Sequence, residues 1–311
     1  MSHLTLKEIL KDARQRQYAI PCLAVLNLDT ITGIIKAAEE KKSPLIVCYN
    51  RQLSTEISPE VLMPLMVSIA ENSKIPVATI LDHGSDFELI MKAIHLGFSS
   101  VMFDGSGLSF EENVKRTQEI VKVAHSLGVS VEAELGGVGG SAVEVVETST
   151  SESVFTDPDE AKKFVEMTGV DCLAISFGNV HGKYKGEPNL DYERVEKIFK
   201  SIDLPLGMHG ASGLNEYDYR SVIKCGISKL NYFSSMCRSI YPRLRSLIES
   251  SGEDAFCLNL VSVLIDFWYH ETKQLLDICM CSGKAPGNKE DIFIENLSNI
   301  IADAVKNRGL A

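Results

Sequence analysis

The sequence predicts an α/β protein of the (β/α)8 or TIM barrel class with a helical C-terminal extension. Eight short β-rich runs alternate with segments of helical periodicity along most of the chain. Helices that connect successive strands require parallel pairing, and eight such units imply closure into a barrel. A length of 311 residues with 45% hydrophobic content suits one barrel domain with a large core.

The predicted elements follow one another regularly, and several helices begin at an Asp, a Ser or an early Pro that can start a helix. Strands are predicted at 18–24, 44–48, 77–81, 100–103, 130–135, 172–176, 206–209 and 229–232. The helices between them include 28–41, 59–72, 87–96, 109–127, 158–168 and 192–201.

Beyond the eighth unit the pattern is helical. Helices are predicted at 236–251 and 258–281, followed by a Pro-Gly-Asn break at 286–288 and a last helix from about Asp291. We therefore divide the chain into a barrel with its closing helices, residues 1–284, and a helical tail, residues 285–311. The apolar helices pack either on the barrel or on a neighbouring subunit.

Composition excludes several classes of partner. A net charge of −11 without clustered Lys and Arg argues against nucleic acid and anionic membranes. No apolar run is long enough to cross a bilayer, and the N-terminal segment reads as a charged amphipathic helix without the features of a signal peptide. Eight cysteines without CxxC pairs suggest reduced thiols, so we expect a cytoplasmic protein.

Three histidines lie near the ends of predicted strands, where a barrel carries its catalytic residues. His83 and His209 close the third and seventh strands, and His181 follows the sixth. A single histidine in such a place is most simply a hydrogen-bonded loop residue. Three that converge on one barrel mouth favour a catalytic zinc site, because catalytic zinc takes three protein ligands and one open position.

Acidic residues accompany these histidines. Asp82 precedes His83, Asp104 ends the fourth strand, and Glu132 and Glu134 lie in the fifth. All are predicted at the same mouth.

Small and polar residues after three strands predict phosphate binding through backbone N–H groups and hydroxyls. They are Gly182, Gly210, Ala211, Ser212, Asn231, Tyr232, Phe233 and Ser234. Small residues also make tight turns, so the neighbouring metal site is what favours the phosphate interpretation.

A competing motif runs from Gly137 to Ala142 and fits G-x-G-x-x-A after a strand, as in a dinucleotide-binding turn. The segment that follows is rich in Ser and Thr, so it does not supply the helix N-terminus that would receive a pyrophosphate. A nicotinamide site is therefore disfavoured.

Nine sequence motifs follow one another along most of the chain. They are PVATILDHG at 76–84, SSVMFDGS at 99–106, FEENV at 110–114, VEAELGGVGG at 131–140, TDP at 156–158, FVEMTGVDCLAIS at 164–176, HGKYKGEPNLDY at 181–192, MHGASG at 208–213 and KLN at 229–231. With them the chain, from about Leu4 to about Thr272, resembles the metal-dependent (class II) fructose-bisphosphate and tagatose-bisphosphate aldolases. It reads as a divergent member of that family.

The resemblance implies a carbon–carbon lyase related to glycolysis that cleaves or forms a phosphorylated ketose, such as a ketose bisphosphate, and yields dihydroxyacetone phosphate. His83, His181 and His209 would hold Zn²⁺, with Glu134 and Asp104 as ligands of an alternative or second metal position. Zn²⁺ can stabilise the enediolate without a Schiff-base lysine, and no lysine ends a strand in the required way.

Other residues also receive roles from the resemblance. Asp82 would exchange a proton with the oxygen of the aldehyde half. Gly182, the turn from Gly210 to Ser212 and the run from Asn231 to Ser234 would bind the dihydroxyacetone phosphate half. A homodimer or homotetramer is implied, and the sequence leaves open whether a monovalent cation also binds at the phosphate.

Departures from the family concern the substrate and the base. The family's acidic loop pair is replaced by Ser-Ala-Val at 141–143, which leaves Glu144 or Glu147 as candidate bases. The family's Asn after the first strand is Ala24. Asn50 and Arg51 follow the second strand, and Arg51 could meet a second anionic group, although an ordinary surface arginine is the simpler reading.

Three functions remain open at this point. The first is a zinc aldolase acting on a phosphorylated ketose. The second is a lyase or epimerase acting on another phosphorylated sugar or sugar acid, and the third is a sugar-phosphate-binding protein without turnover. Asp82 argues against the third, because a pure binder needs no acid beside its metal.

Overall fold

A computed structural model describes residues 2–54, 56–140, 145–146, 155–251 and 257–285. Eight parallel strands close into a barrel. Helices lie between successive strands, and the predicted (β/α)8 fold is confirmed. The barrel strands are β1 Ile20–Ala24, β2 Leu45–Asn50, β3 Val77–Gly84, β4 Ser100–Phe103, β5 Ser130–Leu135, β7 Cys172–Ile175, β9 Leu206–Met208 and β10 Ile227–Asn231. Around the barrel they follow the order β1-β10-β9-β7-β5-β4-β3-β2.

The helices begin with α1 before the first strand and end with two helices after the last. They are α1 Leu6–Arg16, α2 Leu28–Glu40, α3 Pro59–Asn72, α4 Phe87–His95, α5 Phe110–Ser126, α6 Pro158–Thr168, α7 Tyr192–Ser201, α8 Glu216–Cys225, α9 Ser234–Ser251 and α10 Cys257–Ile278.

Local sequence explains where the helices begin. The side chains of Asn27, Asp86 and Ser109 accept hydrogen bonds from backbone N–H groups in the first turns of α2, α4 and α5. Asp157 and Asp191 do the same for α6 and α7. Each cap satisfies an N–H group that has no partner within its helix, so these loop residues fix the points where the chain turns back onto the barrel.

The third strand extends three residues beyond its predicted end. It continues past Leu81 to Gly84, and its pairing with β4 shifts register between those two residues. His83 lies within this irregularity with φ of 49°, a left-handed conformation that costs a non-glycine residue energy. A bulge of this kind re-aims side chains, and here it places Asp82 and His83 at the barrel mouth.

A small parallel sheet beside the mouth was not predicted from the sequence. Its strands are β6 Val145–Val146 and β8 Lys183–Tyr184, with Val145 paired to Lys183. Next to it, the backbone N–H of His181 donates to the Gly139 carbonyl at 2.8 Å. The segment after β5 is thereby held against the segment that carries His181.

The C-terminal helices close the barrel wall. α10 packs along α2, where a β-carbon at Gly33 would lie 2.5 Å from the Ile265 carbonyl oxygen. α10 ends at Ile278, earlier than predicted, and Met280 adopts a left-handed conformation with φ of 59°. The predicted break and last helix after residue 285 lie outside the described residues. Within the described ranges, no helix combines the length and apolarity that crossing a membrane requires.

Candidate metal centre and phosphate pocket

Three histidine side chains converge at the carboxyl ends of the barrel strands. The centroid of the His83 ring lies 4.9 Å from that of His181 and 4.6 Å from that of His209. The centroids of the His181 and His209 rings are 5.8 Å apart. One nitrogen of each ring lies within 4.8 Å of the corresponding nitrogens of the other two. Residues separated by 126 positions in sequence thus form one cluster.

Carboxylates fix the orientation of two of these rings. Nδ1 of His83 lies 2.8 Å from Oδ2 of Asp104, and Nε2 of His209 lies 3.0 Å from Oε1 of Glu132. A carboxylate accepts the ring N–H, so the opposite nitrogen of each ring faces the cluster. This histidine–carboxylate pairing is the arrangement that metal ligands have in proteins.

The donor set fits a metal ion. Nε2 of His181 and Oε2 of Glu134 are both buried without a hydrogen-bond partner. Buried polar atoms without partners are rare and costly, so a ligand that satisfies them is expected. His83, Asp104 and Glu134 form a second candidate metal cluster that shares His83 with the first.

Electrostatics favour a cation at this point. Burial alone would lower the pKa of His83, but the Asp82, Asp104 and Glu134 carboxylates outweigh it and raise the pKa to about 10. Burial, together with the positive charge on His83, lowers the pKa of His181 to about 4. Burial next to the Asp104 carboxylate raises the pKa of Glu134 to about 8. The carboxylates therefore stabilise positive charge at His83, where a bound cation would replace the ring proton.

Asp82 is buried beside the histidines and is held by two amides. Nδ2 of Asn50 donates to Oδ2 of Asp82, and Nδ2 of Asn231 donates to Oδ1, each at 2.9 Å. Burial would raise the pKa of Asp82, but His83, His209 and Lys229, with the Asn50 hydrogen bond, lower it overall. Asp82 is thus an oriented carboxylate at the cavity surface.

Sequence reasoning missed a lysine inside the barrel. Lys229 is fully buried in β10, and its Nζ lies 2.9 Å from Oε2 of Glu132. Burial alone would lower the pKa of Lys229, but the Glu132 carboxylate outweighs it and raises the pKa. The sequence signal for this pair was a lysine and a glutamate that both lie within predicted buried strands. They became a pair only when the barrel placed β5 opposite β10.

Most of the residues predicted to bind phosphate line the same cavity. Gly210 has φ of 67°, and a β-carbon there would lie 2.3 Å from the Val180 carbonyl oxygen, so only glycine fits. Oγ of Ser212 accepts from the backbone N–H of Phe233 at 3.3 Å, which joins the turns after β9 and β10. Ser234 begins α9, whose N-terminus favours an anion.

The cavity encloses about 260 Å³. Most predicted site residues reach it, namely Asn50, Asp82, His83, Asp104, His181, Gly182, His209, Gly210, Ser212, Asn231, Tyr232, Phe233 and Ser234. Glu134 lies beneath it, within the second metal cluster.

Two predicted residues are placed differently, and a third lies outside the described residues. Ala211 is fully buried, and its carbonyl accepts from the Tyr219 hydroxyl, so its side chain does not line the cavity. Arg51 lies at the rim, where Nη1 is 3.5 Å from Oδ2 of Asp86, while its neighbours Asn50 and Gln52 line the cavity. Glu144 lies outside the described residues.

A family model described as class-II fructose-bisphosphate aldolase matches residues 4–284 of the chain. A probable fructose-bisphosphate aldolase of Bacillus subtilis (strain 168) is 42% identical over 234 residues, which cover 74% of this chain and 81% of the relative. A sulfofructosephosphate aldolase of Alkalicoccus urumqiensis is 38% identical over 231 residues, which cover 74% and 80%.

A solved structure agrees over a greater length. The crystal structure of the YdjI aldolase from Escherichia coli K12 superimposes with a TM-score of 0.80 and 34% identity, covering 91% of this chain and all of that one. Sequence and fold therefore point to the same group of proteins.

Proposed function

The chain belongs to the class II fructose-bisphosphate aldolase family and is an aldolase, a carbon–carbon lyase, and on this premise we propose that it uses Zn²⁺ to cleave or form a phosphorylated ketose. A ketose bisphosphate is the proposed substrate, and dihydroxyacetone phosphate is one product. The observation that carries the proposal is the three-histidine cluster, with its unpartnered nitrogen, between Asp82 and the phosphate-binding turns.

Each side of the cavity has a separate task. The turns at Gly182, Gly210 and Ser212, with the N-terminus of α9, bind the phosphate of the dihydroxyacetone half. His83, His181 and His209 hold the metal, with Glu134 and Asp104 providing an alternative position. A bound divalent cation supplies Lewis-acid stabilisation of the negative charge that develops on the ketose oxygen.

Asp82 handles the proton on the other half of the substrate. Asn50 and Asn231 each donate a hydrogen bond to one carboxylate oxygen of Asp82, which holds Asp82 in one orientation at the cavity surface. In cleavage it takes the proton from the hydroxyl whose carbon becomes the aldehyde, and in condensation it returns that proton. Schiff-base chemistry is not needed, and Lys229 is engaged by Glu132.

The proton at the dihydroxyacetone carbon needs a different base, for which Glu144 is our candidate. Its neighbour Val145 pairs with Lys183, two residues beyond His181, which supports a role near the metal. We expect Glu144→Gln to lower the rate of cleavage about 10²- to 10⁴-fold, the usual contribution of a general base. Deuterium exchange into dihydroxyacetone phosphate should fall equally, as followed by proton NMR.

Glu147→Gln is the matched control for Glu144→Gln, because it removes the same charge three positions along the segment. A Glu147 variant that loses exchange while the Glu144 variant keeps it would transfer the assignment to Glu147. Full activity in both variants would remove this segment as the source of the base.

A further candidate function is an aldolase whose substrate carries a second anionic group on the half that becomes the aldehyde. Arg51 lies at the rim beside cavity-lining residues, and the Alkalicoccus relative is named for a sulfonated sugar phosphate. A guanidinium can bind a phosphate, carboxylate or sulfonate by paired hydrogen bonds. A lyase for a phosphorylated sugar acid is the corresponding alternative.

Replacing Arg51 by glutamine tests this specificity. We expect kcat/KM to fall about tenfold for ketose phosphates with a second anionic group, since a charge-assisted hydrogen bond from a largely exposed side chain contributes about 1.5 kcal/mol, the low end of its usual range. Activity on fructose 1-phosphate should stay unchanged. An equal effect on both substrates, or none, would show that Arg51 only pairs with Asp86 at the surface.

The proposed function itself is tested by a coupled assay for triose-phosphate release. The panel contains fructose 1,6-bisphosphate, tagatose 1,6-bisphosphate, fructose 1-phosphate, a sulfonated ketose phosphate and a phosphorylated ketose acid. We expect release from at least one member, abolished by a chelator and restored by Zn²⁺. No release from any of them would refute the dihydroxyacetone phosphate assignment.

We also propose a cytoplasmic homodimer or homotetramer that binds neither nucleic acid nor membranes. Exposed apolar side chains on α9 and α10, including Tyr241, Ile248, Leu260 and Val261, support a subunit contact there. Free cysteines, most of them buried among the residues described, support a reducing compartment. Light scattering of the purified protein would measure the assembly.

A further inference from the structure

Lys229 and Glu132 form an ion pair in the barrel interior, beneath the cavity. Both side chains are fully buried, and neither lines the cavity, so neither can touch a substrate there. A buried ion pair often stabilises a protein no more than an apolar pair of similar volume, so the pair is weak support for stability. Its contacts therefore indicate what else it does.

The pair reaches the metal ligands on one side. Oε1 of Glu132 accepts from Nε2 of His209 at 3.0 Å. That hydrogen bond leaves Nδ1 of His209 facing Nε2 of His83, also at 3.0 Å.

On its other side the pair reaches Asp82. Nζ of Lys229 donates to Oδ1 of Asn231 at 2.6 Å, and Nδ2 of Asn231 donates to Oδ1 of Asp82 at 2.9 Å. An ammonium group can only donate, so Lys229 forces the Asn231 amide to present its NH₂ group to Asp82. With the amide turned over, its oxygen would face the carboxylate oxygen, an unfavourable contact.

The second amide at Asp82 is fixed in the same way. Oδ1 of Asn50 accepts from the backbone N–H of Gln52 at 2.9 Å, which leaves Nδ2 for Oδ2 of Asp82. Each amide thus has its oxygen occupied by a donor and its NH₂ group directed at Asp82. One of these donors is a backbone group, and the other is Lys229.

We propose that Lys229 and Glu132 are positioning residues for the proton transfer at Asp82. Lys229 fixes the orientation of the Asn231 amide, and Glu132 neutralises the charge of Lys229. This inference rests on the proposed function, in which Asp82 serves the aldehyde half only. Loss of the hydrogen bond from Lys229 to Asn231 should impair cleavage of the ketose, which needs Asp82. It should spare deuterium exchange into dihydroxyacetone phosphate, which does not.

The test is the double variant Lys229→Met/Glu132→Gln. It removes both charges together, since removing one alone would leave the other buried and unpaired. The retained glutamine oxygen can still accept from His209. We expect cleavage to fall about 10- to 100-fold, in keeping with the cost of a misplaced catalytic group. Zinc content and the rate of exchange should stay near the wild-type values.

A cycle with Asp82→Ala separates positioning from general damage. If the pair acts through Asp82, adding the double variant to Asp82→Ala causes no further loss of cleavage. Losses that multiply, exchange that falls in parallel with cleavage, or unchanged cleavage would each overturn the proposal. The exposed pair Lys41 and Asp277 provides a charge-matched control as Lys41→Met/Asp277→Asn, which should leave every rate unchanged.

Crystal structures of the wild type and the double variant give a second measurement that does not depend on activity. We expect the Asn231 amide to rotate or move away from Asp82 in the variant. An unchanged contact would overturn the positioning role even in an active enzyme. Absence of triose-phosphate release by the wild type would instead refute the proposed function. The structural comparison would then still show whether Lys229 fixes the orientation of the Asn231 amide.

Discussion

Replacing Asp82 by alanine should abolish ketose cleavage while leaving the metal in place. Asp82 is the carboxylate at the cavity surface that is oriented by two amides, and general acid–base groups contribute about 10²- to 10⁴-fold to a rate. We expect kcat for triose-phosphate release to fall by this factor. Zinc content, measured by mass spectrometry, should match the wild type.

Deuterium exchange into dihydroxyacetone phosphate tests whether the loss is specific to the proton that Asp82 handles. Deuterium exchange into dihydroxyacetone phosphate should survive in the Asp82→Ala variant, because that proton is handled by another base. Asp86→Asn is the control, since it removes a carboxylate nearby at the same mouth and keeps an amide that can cap α4. Substantial cleavage by the Asp82 variant would contradict the assignment.

Removing the metal should have the second large effect. Lewis-acid stabilisation contributes several kcal/mol, so chelation should lower kcat by about 10³-fold or more. Adding Zn²⁺ back should restore activity. Because Nε2 of His181 and Oε2 of Glu134 lack partners, the metal should also raise the melting temperature, which differential scanning fluorimetry can follow.

Single histidine variants locate the metal within the molecule. His209→Ala should lower both zinc content and cleavage, since this residue belongs to the three-histidine cluster. His95→Asn is the matched control, because His95 is exposed at the end of α4 and should leave the zinc content unchanged. Activity that is insensitive to chelator and to His209→Ala would contradict a catalytic metal.

Much of the fold followed from pattern alone. Parallel barrel strands are buried on both faces and read as short apolar runs, and six of the eight barrel strands begin or end at the predicted residue. Strand order was then fixed by the rule that strand–helix units add side by side. The exceptions have local causes, such as the irregular end of β3, where His83 adopts a left-handed conformation that no periodicity reveals.

The sequence by itself determined which residues could bind a metal and a phosphate. His83, His181 and His209 follow strand ends, and a barrel brings all such ends to one mouth. Only the tertiary structure decided the partners: Glu132 with His209, Lys229 with Asn231, and both amides with Asp82. Those contacts join residues as many as 149 positions apart. Their energies depend on burial and on distances of about 3 Å, and neither is visible in a linear pattern.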